Sequence, residues 1–345
     1  MRTGIFHENF ASEGRMWDSP TARYWMLAFT LALFALPFYG SDYVLAMACI
    51  MGIHVIATLG LNITTGKTGL ISLAHAAFMG VGCYTVAWLA KQSVPFFLTL
   101  PAAGLMAAAL GILVGLPSLR VKGLYLAIAT LAAHFILTFI FREWEAVTGG
   151  VPGTSIPRAR LFGFELIGDR RNFYLIFGCV FLLALAARNL ARTYIGRAFI
   201  AVRDRDISAE ILGVSLLRTK LLAFALGAFY AGVAGGLLGY FYGSISPEYF
   251  VFTLSIFYLA AIIVGGSTVL GSVLGAVFMT FVPELLRLAS HVSSQWFPAG
   301  AALLLPMGQI VFGLLIIVFL IFEPHGLAEI WARIRRTFHL WPFKT

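Results

Sequence analysis

"GRAFIAVRDRDISAEILGV", residues 196–214, gathers Arg197, Arg203, Asp204, Arg205, Asp206 and Glu210 in a chain of 345 residues that is 60% hydrophobic and 11% charged. A soluble domain carries roughly 25% charged residues and about 45–50% apolar ones. The mean hydropathy here is +0.90. The chain therefore reads as an integral membrane protein, and this stretch as a place where it leaves the bilayer. The 35 glycines fit the same class, because small residues let membrane helices approach closely.

Working outward from that stretch, apolar runs mark candidate spans at 24–39, 43–61, 69–90, 96–116, 123–141, 173–188, 220–242, 250–267, 270–288 and 307–322. A chain of this length has room for roughly ten spans of about 20 residues. The runs 250–267 and 270–288 are divided at "GST", since about 40 apolar residues exceed one ordinary span. The expected fold is an all-α polytopic membrane protein with about ten transmembrane helices.

Lysine and arginine near span ends set orientation. Arg188, Arg192, Arg197, Arg203, Arg205, Arg218 and Lys220 put the segment 189–219 in the cytoplasm. Alternating outward then places Lys67, Arg120, Lys122 and the Arg333–Lys344 cluster on the same side, with both termini cytoplasmic. The organisation that follows is a cytoplasmic segment 1–23, a transmembrane domain 24–322 and a cytoplasmic tail 323–345. An external loop spans 142–172. The formal charge of +9 is read as topology signals and contacts with the lipid surface, not as a nucleic-acid footprint. No cleavable signal peptide is evident, since Glu8, Glu13, Arg15 and Asp18 precede the first apolar run. "EIWARIRRTFHLWPF" (329–343) alternates bulky apolar and basic residues and predicts a helix on the inner leaflet, with Trp331 and Trp341 at headgroup level.

Chemistry-bearing motifs are sparse. "GLNITTGKTGL" contains Gly66-Lys67-Thr68, but Leu61 stands where a phosphate-binding loop needs glycine. No metal spacing, nucleophile elbow or intramembrane carboxylate pair is visible, so no catalytic residue, metal site or cofactor is expected. Cys49, Cys83 and Cys179 lie in apolar runs and read as small core residues. His75, with Ser72 one turn earlier, reads either as a packing hydrogen-bonder or as a pathway residue. His54 and His134, scattered over other spans, favour packing. Asn62, Thr64 and Thr65 follow the second span, where a short unwound turn would offer carbonyls to a pathway. Glycines in "IIVGGSTVLGSVLGA" (262–276) favour close helix packing. Glu284 and Arg287 can pair at i, i+3. "TGLISLAHAAF" (68–78) and "TKLLAFALGAF" (219–229) form a candidate internal repeat.

Within the opening stretch, Arg203, Asp206, Glu210 and Gly213 share one helical face, and Ile207, Ile211 and Val214 another. Asp206 suits an N-cap and Gly213 a C′ position. The pattern predicts a short helix over 207–212. It should rest its apolar face on the protein and leave its charged face free.

Several motifs in order resemble one family: "GLNITTGKTGLISLAHAAFMGVGCYT", "VKGLYLAIATLA", "TGGVPG", the opening stretch running on to "AGGL", "SPEYFVFTLSIFYLAAIIVGG" and "FEPHGL". Over residues 45 to 327 the chain resembles the LivM-type permease subunit of branched-chain amino acid ABC importers. The resemblance implies an importer permease fold in the bacterial inner membrane. It also implies a second homologous permease, two cytoplasmic ABC ATPase subunits, a periplasmic substrate-binding protein and a small amino acid as substrate. It implies that Arg197–Gly213 matches the loop that docks into an ATPase cleft. Two departures stand out. Ile207-Ser208-Ala209 replaces an acidic-Ala-Ala triplet, and Ala74 replaces the glycine before His75. Cargo such as urea, an amide or an aromatic or carboxylate compound stays open at this level. The competing classes are a stand-alone secondary transporter, which needs intramembrane ion-coordinating residues, and an intramembrane enzyme, which needs a nucleophile with its base.

Overall fold

The computed structural model describes residues 20–158, 160, 161, 164, 165, 169–296, 310, 313, 314, 316–318, 321 and 326–340. Residues 1–19, most of the expected span 307–322, and Trp341 with the rest of 341–345 lie outside the described residues. The described helices are α1 (Pro20–Tyr39), α2 (Asp42–Leu61), α3 (His75–Lys91), α4 (Phe96–Gly115), α5 (Leu124–Glu143), α6 (Glu145–Thr148) and α7 (Asp169–Arg192). They continue with α8 (Tyr194–Asp204), α9 (Asp206–Ile211), α10 (Leu216–Tyr242), α11 (Phe252–Gly265), α12 (Val269–Trp296) and α13 (Leu327–Leu340). Four two-residue strands, β1 (Thr154–Ser155), β2 (Arg160–Leu161), β3 (Phe164–Glu165) and β4 (Ser244–Ile245), pair antiparallel as β1·β4 and β2·β3.

Six described helical segments are long and apolar enough to cross a bilayer: Asp42–Lys67, Phe96–Gly115, Leu124–Glu143, Arg170–Arg192, Leu216–Tyr242 and Val269–Leu288. The molecule is thus a mostly helical, polytopic membrane protein. Two expected spans are shorter as helices than their apolar runs. The run 69–90 begins unwound, and its helix starts only at His75. The run 250–267 yields α11, whose 14 residues reach about 21 Å, short of a hydrocarbon core of about 30 Å. The tail forms the expected helix, with Trp331 exposed.

α10 is the centre of the bundle. Within its span window 72% of residues are buried, against 22% for α7, which faces outward. Glycine spacing explains how α10 touches three neighbours at once. A methyl group built on Gly82 of α3 would overlap the backbone of Gly232, and one built on Gly235 would overlap the Met79 carbonyl. On its other flanks Gly232 would meet the Ala103 carbonyl of α4 at 2.6 Å, and Gly60 of α2 the Gly227 carbonyl at 2.8 Å. Lipid offers no hydrophobic drive between helices, so this backbone-to-backbone packing holds the bundle together. The hairpin α11–α12 closes the same way, with Gly265 on Gly271 and Gly275 on Ala261. The packing expected of "IIVGGSTVLGSVLGA" is what the helices show.

The far end of the bundle, opposite α8 and α9, is laced by polar contacts. Lys91 bonds Thr154, and Ile156 N donates to the Gly243 carbonyl at 2.8 Å. Glu284 and Arg287 pair as expected, at 2.6 Å, and Tyr43 of α2 joins them. Among the described residues no disulfide joins the three cysteines, and Cys49 and Cys83 are buried. The internal repeat is not reproduced locally: 68–74 is non-helical, while 219–229 is uninterrupted helix in α10.

The packing predicts a contrast between glycines. Gly82→Val forces α3 and α10 apart and costs about 1–3 kcal/mol or more, as over-packing does. Gly178, with nothing within 4 Å of an added carbon, tolerates valine. Thermal melting of the two purified variants in detergent, read against wild type, measures the difference.

Candidate functional site

Between α2 and α3 the backbone leaves regular α-helical geometry inside the packed bundle. α2 runs on into a π-helical turn, Asn62–Lys67, and Thr68–Ala74 are then unwound up to the start of α3. The unwinding was expected at Asn62–Thr65. It falls instead at 68–74, because Thr65 accepts the Gly69 and Thr64 the Leu70 amide and these bonds hold the π-turn closed. Non-helical backbone at membrane depth is tolerated only where protein satisfies it. Here Leu73 N donates to Thr130 Oγ1 of α5 at 2.9 Å, and Thr65 Oγ1 donates to the Leu70 carbonyl at 3.1 Å. Glycine-free Ile71–Ala74 is mostly enclosed, Ser72 being 1% exposed. Because the helix starts at His75, Ser72 is on the unwound strand and not one helical turn below His75.

Asn62 and Thr64 therefore sit on the π-turn. Thr64 folds back onto the Gly60 carbonyl at 3.3 Å. Asn62 Nδ2 donates to the Thr268 carbonyl at the α11–α12 hairpin, 3.2 Å away. Its Oδ1 is buried without a hydrogen-bond partner, beside a hollow of about 20 Å³ that Lys67 also lines. That is space for one water.

His75 is buried at the first position of α3, and its Nε2 donates to the Ala57 carbonyl of α2 at 2.8 Å. The ring meets the edge of Tyr258 of α11 at 5.5 Å. The Tyr258 hydroxyl lies 2.7 Å from His54 Nδ1. Ser255, one turn away on α11, accepts the Ala76 amide at 2.9 Å. The sequence offers no link between His54, expected to pack, and His75, expected to pack or to line a pathway. Folding brings them together on Tyr258, whose position in an apolar run gave no periodic signal. The result is a polar seam joining α2, α3 and α11, deep among apolar side chains, where unsatisfied groups cost several kcal/mol.

The charged stretch forms two helices, not one loop. α8 was missed, although Thr193 supplies an N-cap, accepting the Gly196 amide, and Gly196, Phe199 and Val202 bury one face. The backbone turns extended at Arg205, with φ −155° and ψ 102°. This break separates Arg203 from Asp206, so the single face expected to carry Arg203, Asp206, Glu210 and Gly213 does not form. α9 begins at Asp206, one residue earlier than expected, with Arg205 in the cap position. Gly213 ends it as expected, at φ +88°, a conformation other residues resist.

The apolar face of α9 is turned outward, not onto the body as expected, while Glu210 stays exposed as expected. Ala209 is its buried residue, while Ile207, Ile211 and Leu212 are 68%, 81% and 83% exposed. Asp206 turns inward. It pairs with Lys122, from the turn before α5, and lies 4.0 Å from Lys220, which is almost fully buried at the start of α10. The Lys122 hydrogen bond, supported by nearby positive charge, holds the Asp206 carboxyl below its usual range. A lowered value means that the stabilisation is complete above the ordinary aspartate value of about 4. It fades only as pH falls through the lowered one. Arg203 also points to the body, donating to the Gly66 carbonyl at 2.6 Å and to Ser267 Oγ at 3.2 Å. Arg197 and Glu210 are exposed, Arg197 reaching the Arg192 carbonyl at 3.5 Å.

Comparisons with known proteins show the family of the chain. The family model "Branched-chain amino acid transport system / permease component" matches residues 43–320. The high-affinity branched-chain amino acid transport system permease protein LivM of Escherichia coli is 34% identical, over 88% of this chain and 74% of its own. LivH of Salmonella typhimurium is 29% identical over 70% of this chain and 82% of its own. The autoinducer 2 import system permease LsrC of an Enterobacter strain is 27% identical over 77% of this chain and 75% of its own. No solved structure matches the chain. With four-fifths of its length under one family model and a relative 34% identical over 88% of it, the chain belongs to the family of branched-chain amino acid transport system permease components.

Proposed function

We propose that this chain is the membrane-spanning permease subunit of a binding-protein-dependent ABC importer in the bacterial inner membrane, moving small amino acids, branched-chain ones first, inward. In this reading about ten helices cross the bilayer with both termini cytoplasmic. A second homologous permease completes the pathway, which accords with matches to both LivM and LivH proteins. Two ATPase subunits hydrolyse ATP and a periplasmic binding protein delivers substrate. The chain itself is non-catalytic.

The observation that carries the reading is α9. Six residues make a helix about 9 Å long, too short to be stable alone. It is nonetheless built, capped by Gly213 and pinned inward by Asp206, while Ile207, Ile211 and Leu212 stand free. On a helix lying outside the apolar spans, such a row fits an ATPase cleft. Movement of the ATPases would push α9, and the Asp206 pairing with Lys220 would hand that push to α10, the helix against which α2, α3 and α4 all pack. The cargo assignment follows the LivM and LivH relatives. The LsrC match shows a similar chain in an importer with a different named cargo, which favours, as the second reading, the same machine carrying another small polar molecule. Binding measurements on the cognate periplasmic protein decide between the two.

Two outcomes are expected. Ile211→Asp places a charge on an 81% exposed position; folding and membrane level stay at wild type, while ATPase co-purification and uptake fall about tenfold or more, as for a central interface residue. Wild-type co-purification would remove α9 from the ATPase contact. Asp206→Asn leaves Lys220 without its nearby carboxylate. Because the site is partly open, the stability cost is about 1–2 kcal/mol, below that of a fully buried broken pair. Between pH 5 and 8 the wild type should lose none of this contribution, measured as detergent melting temperature against the Asn variant.

A further inference from the structure

Arg203 was the obvious candidate for a charge offered to a partner, and the structure turns it the other way. Its side chain leaves α8, passes over Gly69, whose added carbon would lie 3.2 Å from Arg203 Cγ, and donates to Gly66 O and Ser267 Oγ. Gly66 belongs to the π-turn. A carbonyl near a helix end has no intrahelical donor, and a guanidinium placed there caps it with a charge-assisted bond. Ser267 sits at the α11–α12 hairpin, beside Thr268, which Asn62 of the same π-turn also reaches. One guanidinium thus ties three elements: the helix leading into α9, the π-turn, and the hairpin.

The π-turn is also where the bundle has slack. π-helical turns are rare and gather at functional sites. This one holds a buried, unpartnered Asn62 Oδ1 beside the 20 Å³ hollow, and the unwound strand leading to His75 follows it directly. His75 in turn meets Tyr258, on the helix that ends at the Ser267 hairpin.

We propose that Arg203 is a positioning residue that transmits movement of the charged α8–α9 segment to the membrane-buried seam, by holding the π-turn and the α11–α12 hairpin in one register. It acts through Gly66 and Ser267, not by touching an ATPase or the cargo. The proposal rests on the importer reading above.

The test uses the assembled importer, with its second permease and ATPases, in proteoliposomes with the binding protein and leucine. Wild-type complex must first show ATPase activity stimulated by loaded binding protein; absence of stimulation there would sink the importer reading and leave Arg203 out of it. Given that stimulation, Arg203→Gln is expected to keep ATPase subunits in wild-type ratio and basal hydrolysis unchanged. Stimulation and uptake fall together by about tenfold, the scale of a coupling between sites. Arg203→Lys, which keeps the charge but not the planar two-acceptor reach, recovers part of it. Ser267→Ala gives a smaller loss, and the double variant is less than additive because both remove one contact. Full stimulation in Arg203→Gln overturns the proposal. So does loss of ATPase subunits from the purified complex, which would make Arg203 a docking residue. If Arg203→Gln is not recovered from membranes, wild-type stimulation in Ser267→Ala overturns it alone.

Discussion

The backbone of Gly232 occupies the space in which residue 82 would otherwise carry a side chain. That approach between α10 and α3, repeated at Gly235 on Met79, places α10 within reach of α2, α3 and α4 together. In a bilayer such contact has no hydrophobic drive behind it. It depends on van der Waals complementarity at distances that a single methyl group abolishes. α10 becomes the shaft of the molecule as a result. It is the most enclosed of the described spans, and its N-terminal end carries Lys220 to where α9 waits.

The close-packed shaft permits irregularity beside it. An unwound strand in lipid would leave amides and carbonyls bare. At Thr68–Ala74 the surrounding helices enclose the strand, and Thr130 and Thr65 supply partners. The π-turn before it and the His54–Tyr258–His75 contacts after it make a continuous polar thread through an apolar interior. Polar groups there are expensive unless satisfied, and here most find partners across α2, α3, α5 and α11.

The charged helices complete the pattern. Two inward-facing charges, Arg203 and Asp206, fasten the segment to different membrane elements: the π-turn with the hairpin, and α10 with the turn before α5. Outward, beside the exposed charges of Asp204, Arg205 and Glu210, stand the apolar Ile207, Ile211 and Leu212. Charges turned inward and oily residues turned outward invert the usual soluble arrangement. The inversion is what the proposed docking of α9 in an ATPase cleft would require.

Membrane class, the end of the bundle that collects positive charge, the glycine contacts of the hairpin, the Glu284–Arg287 pair and the Gly213 stop were all legible in the chain itself. Each depends on composition or on residues a few positions apart. The short helix was legible too, to within one residue. Its facing was not, because periodicity tells which residues share a side and not which side meets the body; one extended residue, Arg205, was enough to reassign Arg203. The meeting of His54 with Tyr258 spans 204 positions, and that of Arg203 with Gly66 spans 137. Local sequence determined which stretches are apolar enough to enter lipid and where the chain is punctuated. Tertiary structure alone decided which polar groups meet, because in an apolar interior each finds its partner by the packing of distant helices and not by its neighbours in the chain.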